Sequence, residues 1–85
     1  SLRPKLVIGF SAETENLERN SVNKLKDKNC DWIISNDVSD KTIGFGSDYN
    51  EVTIFYKNKQ SEVISKMKKT LLADAIVERA VAALN

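Results

Sequence analysis

The 85-residue chain has no histidine and a single cysteine, Cys30. Without an imidazole it cannot build a Ser-His-Asp or Cys-His nucleophilic unit, and without a second thiol it can form neither an internal disulfide nor a zinc site of the usual His/Cys kind. Most hydrolase chemistries are excluded. Cys30 reads as a small buried hydrophobe at the entrance to a strand, and a reducing cytoplasm suits it. Three glycines and one proline supply too little turn chemistry for an all-β barrel or a low-complexity tail. Apolar runs such as Leu6-Val7-Ile8 fall far short of the ~20 residues needed to cross a bilayer, so no membrane partner is expected. Thirteen basic residues against twelve acidic ones leave a net charge of +1, without the global positive field that gathers nucleic-acid phosphates. No nucleic-acid partner is expected, and any phosphate binding must be local.

What is present reads as α/β, with room for one core. Lys5-Leu6-Val7-Ile8-Gly9-Phe10 and Asp31-Trp32-Ile33-Ile34-Ser35 are short β-branched runs of the kind found in strands buried on two faces. Between them Glu13 to Asn29 lacks glycine and proline, and Leu17, Ser21 and Leu25 mark the inner stripe of a crossover helix. A strand-helix-strand unit of this length predicts parallel strands and a right-handed crossover. Glu51 to Tyr56 reads as a third strand, Lys57-Asn58-Lys59 as a turn, and Glu62-Val63-Ile64 as a hairpin partner. Ser65 can cap a terminal helix in which Leu72, Ala75, Ile76, Arg79, Ala80, Ala83 and Leu84 recur with helical period. Asp37 to Asn50 has no period and reads as a long functional loop. The expected architecture is a Rossmann-like, partly parallel sheet of three to four strands with two helices. Two helices cannot cover both faces of a parallel sheet, so preceding strands of a larger doubly wound domain are expected to complete it.

In an open parallel sheet, ligands bind beyond the carboxyl ends of the strands. Those segments are Phe10-Ser11-Ala12-Glu13-Thr14 and Ser35-Asn36-Asp37-Val38-Ser39. The first leads into a helix N-terminus, which suits an anion or simply a cap by Thr14 or Asn16; the second suits either a site or an Asx turn. Gly44-Phe45-Gly46 lacks the third glycine of a phosphate fingerprint, and Phe45 is either a packed loop anchor or a ring that stacks on a base. Lys24 and Lys28 share one helix face and could reach a polyphosphate. Lys24, however, lies about eight residues, roughly 12 Å, beyond the helix start. A straight helix would carry it away from the site, so the helix should end early or the lysines should serve another subunit.

Taken in order, Val7 to Thr14, Lys24 to Lys28, Ser35 to Ser39, and Gly44 to Asp48 with Asn50 to Thr53 resemble the C-terminal part of bacterial phosphopantothenoylcysteine synthetase. That is the synthetase half of the bifunctional synthetase/decarboxylase flavoprotein of coenzyme A biosynthesis, and the likeness runs from about Leu6 to Leu84. It implies a CTP-dependent ligase: the carboxylate of 4'-phosphopantothenate attacks CTP to give an acyl-cytidylate, and cysteine displaces CMP to form the amide. It further implies Mg2+ with the triphosphate, FMN only in a decarboxylase part outside this chain, and a homodimer. By the resemblance, Lys24 and Asn36 are catalytic, and Ser11, Ala12, Asn16, Lys24, Lys28, Asn36, Asp37 and Phe45 bind the nucleotide. Ser11 departs from the alanine expected there. Glu13, Asp37 and Asp48 are all candidate magnesium ligands, with no spacing to choose among them. The phosphopantothenate-binding residues belong mostly to an N-terminal half, so these 85 residues alone are expected to be inactive. A noncatalytic α/β interaction module is the rival reading.

Overall fold

The computed structural model describes residues 5–37 and 49–85, and the structural statements that follow concern those residues. The elements run β1 (Ile8–Glu13), α1 (Leu17–Asp27), β2 (Trp32–Asp37), β3 (Tyr49–Tyr56), β4 (Ser61–Lys68) and α2 (Lys69–Leu84). They form one four-stranded sheet in the order β1-β2-β3-β4, with β1 parallel to β2 and the other neighbours antiparallel. The architecture is therefore the mixed α/β sheet with two helices that the sequence predicts.

Strand alternation sorts the side chains onto two faces. On one, Trp32, Ile34, Val52, Ile54, Ile64 and Leu72 form the larger core, against which Ile8, Tyr56, Met67, Ala75 and Ile76 pack; α2 covers this face. Trp32 and Tyr56 are register partners whose rings meet edge to face, with centroids 5.2 Å apart. On the other face, Leu25 of α1 packs with Cys30, Ile33 and Val7. Cys30 is buried, as a small hydrophobe should be. Leu25 and Ser21 form the buried stripe of α1, with Leu17 half-buried.

Several boundaries differ from the sequence reading: Asp37 closes β2 and Tyr49 and Asn50, read as loop, open β3, while β4 runs from Ser61 to Lys68 rather than stopping at Ile64. β1 is shifted toward Glu13 and is not buried on both faces: Phe10 is 70% exposed, because β1 is an edge strand and α2 lies over β3 and β4. Only β2 carries the uninterrupted burial expected of both parallel strands. Ser65 does not cap the terminal helix but lies within β4, and α2 begins four residues later, with Ala83 and Leu84 exposed. Between Asn50/Met67 and Val52/Ile64 the register slips, β4 using one more residue than β3. This bulge places Met67 on the core face with Ile64, an odd spacing that plain alternation forbids.

Candidate functional site at the carboxyl ends of β1 and β2

Register sets the site. Ser11 pairs with Ser35, Ala12 with Asn36, and Glu13 with Asp37 along the parallel β1-β2 ladder. The carboxyl ends of both strands thus meet at one rim. Ser11, Ser35, Glu13 and Asp37 lie on the α1 face, and Ala12 and Asn36 on the opposite one.

On the α1 face the polar groups are tied together. Lys24 Nζ donates to Glu13 Oε2 at 2.5 Å and to Ser11 Oγ at 2.9 Å, and Ser11 Oγ donates to Glu13 Oε2. The Glu13 side chain is 8% exposed and that of Lys24 41%. The Lys24 ammonium, the Ser11 hydroxyl and the Lys24 charge hold the Glu13 carboxyl below its ordinary range against the opposing effect of burial. Beneath them Ser21 of α1 and Ser35 of β2, both fully buried, share a 2.5 Å hydrogen bond that fixes the helix over the strand pair.

The expectation that a straight helix removes Lys24 from the site is therefore wrong. α1 continues through Lys24 to Asp27, yet Lys24 reaches the strand. Two physical reasons account for this: β1 extends to Glu13 rather than ending near Phe10, and helical side chains lean back toward the N-terminus of their own helix. Lys28 is the exposed C-cap residue of α1, one turn (about 6 Å) farther along, and does not join the cluster. Asn16 occupies the N-cap in a left-handed conformation (φ 47°) without a side-chain capping bond. It lines an open groove with Leu17, Glu18, Arg19, Val22 and Asn23, apart from Lys24. Phe45 and Asp48 lie outside the described residues.

Glu13 fits an ion pair better than a resident metal site. Its carboxylate is already engaged by Lys24 and Ser11, and among the described residues no group of three or more His, Cys, Asp or Glu could hold an ion. A separate cavity of about 300 Å³ lies along the other flank of α1, lined by Val22, Leu25, Phe55, Lys57 and Lys59 among others. It contains none of the predicted site residues. What sequence reasoning missed is the Ser21-Ser35 bond and the pairing of Glu13 with Lys24; a serine midway along an apolar helix stripe was the available signal for the first.

Comparison with known proteins decides the kinship. The family described as DNA/pantothenate metabolism flavoprotein C-terminal domain matches residues 1–84. The chain belongs to this family. It is 37% identical over 83 residues to the Coenzyme A biosynthesis bifunctional protein CoaBC of Bacillus subtilis, covering 98% of the chain and 20% of that protein. The CoaBC of Haemophilus influenzae is 39% identical over 71 residues, covering 84% of the chain and 18% of that protein. The crystal structure of a C-terminal domain of CoaBC superposes with a TM-score of 0.74 at 30% identity, covering 93% of this chain and 35% of that one. The chain thus spans about a fifth of the full-length relatives and about a third of the solved domain. These CoaBC relatives are named for coenzyme A biosynthesis, and the four-stranded sheet with its two helices matches the fold of the solved CoaBC domain.

Proposed function

We propose that this chain supplies the nucleotide end of a CTP-dependent phosphopantothenate-cysteine ligase, within the synthetase half of a CoaBC-type protein. The observation that carries the reading is the return of Lys24 to the strand rim. The partly exposed Lys24 side chain is bonded to Ser11 and Glu13, the two residues that flank Ala12 of the Ala12-Asn36 pair on the ladder, so that a cation, a side-chain amide and backbone groups gather at one rim where they can grip a nucleotide. Acyl-cytidylate formation asks the protein chiefly to position phosphates and neutralise their developing charge. Lysine and asparagine can do this without histidine. Cysteine would then displace CMP in the second step, on a surface completed by residues outside this chain.

Calorimetry on the full-length protein tests the reading. CTP should bind in preference to ATP, and Lys24→Gln should weaken CTP binding by about 1.5–3 kcal/mol, the cost of losing one charged hydrogen-bonding partner. Equal indifference to both nucleotides would instead favour a noncatalytic interaction module.

A further inference from the structure

We infer that Glu13 is a positioning residue that holds the ammonium of Lys24 in place for an incoming phosphate; the inference rests on the ligase reading above. An ammonium has three donors. Lys24 directs one to Glu13 Oε2 and one to Ser11 Oγ, which leaves one for a ligand. Ser11 closes the triangle through its own bond to Glu13 Oε2. The carboxylate is buried while the lysine remains open to solvent, so the fixed partner lies on the protein side and the available one on the ligand side. Glu13 itself stands on a strand held to β2 by the parallel ladder through Asp37, a rigid base for a long side chain.

A carboxylate facing a cation that must grip phosphate weakens the raw attraction. In return it supplies order: the rotamer freedom an unrestrained lysine would lose on meeting a phosphate is already gone. The two effects oppose each other in nucleotide binding and do not oppose each other in the reacting step, where a misplaced charge lowers the rate directly. The signature of Glu13 should therefore lie in kcat, and it should vanish when Lys24 is absent.

Two measurements on the full-length protein decide the matter. In the first, acetylation of Lys24 by acetic anhydride is followed by mass spectrometry, which needs no ligase activity; Glu13→Gln should raise its rate several-fold over the wild type. In the second, Glu13→Gln should lower the kcat of CTP-dependent ligation about tenfold with little change in KM for CTP, and should change nothing further in a Lys24→Gln background. An unchanged acetylation rate, or an equal kcat loss on both backgrounds, overturns the inference. If Glu13→Gln fails to fold, Ser11→Ala breaks the same triangle and carries the same expectations at smaller size. Faster acetylation in a protein whose wild type lacks CTP-dependent ligation would support the hold of Glu13 on Lys24 and overturn the ligase reading alone.

Discussion

At Gly9 any added side chain would press on its neighbours. A Cβ there would stand 2.8 Å from Ile33 Cδ1 and 3.3 Å from Cys30 Sγ, and Ile33 is 1% exposed, so its terminal methyl has little room to retreat. Gly9→Ala should therefore cost about 1–3 kcal/mol by overpacking. Urea unfolding followed by Trp32 fluorescence should show the lower midpoint, and Ile33→Val, which deletes the offending methyl, should restore part of the loss when combined with it. Additive losses in the double variant would mean that the clash is not the cause. The composition of β1 indicates a strand, but the need for glycine at this position comes from the approach of the Ile33 side chain from β2 and of Cys30 beneath α1, which no local pattern reveals. The Lys24-Glu13 pair is hidden for the same reason: its partners are eleven residues apart and meet only because β1 runs longer than its apolar run.

At the scale of elements, α2 is fastened to the sheet by a polar latch as well as by Leu72. Arg79 donates through Nε and Nη2 to the two carboxylate oxygens of Glu62 on β4, each at 2.8 Å, and Tyr56 of β3 donates its hydroxyl to the same carboxylate at 2.9 Å. The Arg79 guanidinium, with help from Tyr56, holds the Glu62 carboxyl down to about 2. A carboxyl depressed on folding stabilises the protein above its ordinary value of 4.5 and loses that contribution as pH falls toward 2. The Glu62 side chain is 40% exposed, so solvent screening limits the contribution to about 1 kcal/mol. Thermal melts should show stability declining from pH 4.5 to pH 2, less steeply in Arg79→Met; the residual slope includes Glu13, whose depressed carboxyl acts with the same sign. A wild-type slope retained in full by Arg79→Met would dismiss the latch. The inward positions Leu72, Ala75, Ile76, Arg79 and Ala80 are legible from their helical period, and the structure buries or half-buries each of them. The start of the helix is not legible, because Ser65 looks like a cap while the bulge in β4 keeps the strand going to Lys68.

Across the whole molecule, the two helices divide the rim. Lys24, Ser11 and Glu13 converge on the face beneath α1, while Ala12 and Asn36 stand on the face toward α2, over the part of the sheet that α2 leaves open. A ligand touching both sets cannot lie in a groove on one face; it must sit across the strand ends, where both faces are reached at once. That geometry predicts a particular footprint in hydrogen exchange on the full-length protein. Saturating CTP should slow exchange in peptides spanning Ala12 to Asn16 and Asn36 to Asp37, with a smaller effect from ATP. The hairpin turn from Lys57 to Gln60, which borders the separate cavity beside α1, should exchange at the same rate with and without nucleotide. Protection confined to that turn would move the ligand to the cavity and remove Lys24 from the grip. Protection at both strand ends, lost for CTP in Lys24→Gln, would tie the rim of β1 and β2 to the nucleotide through the one lysine that the helix returns to it.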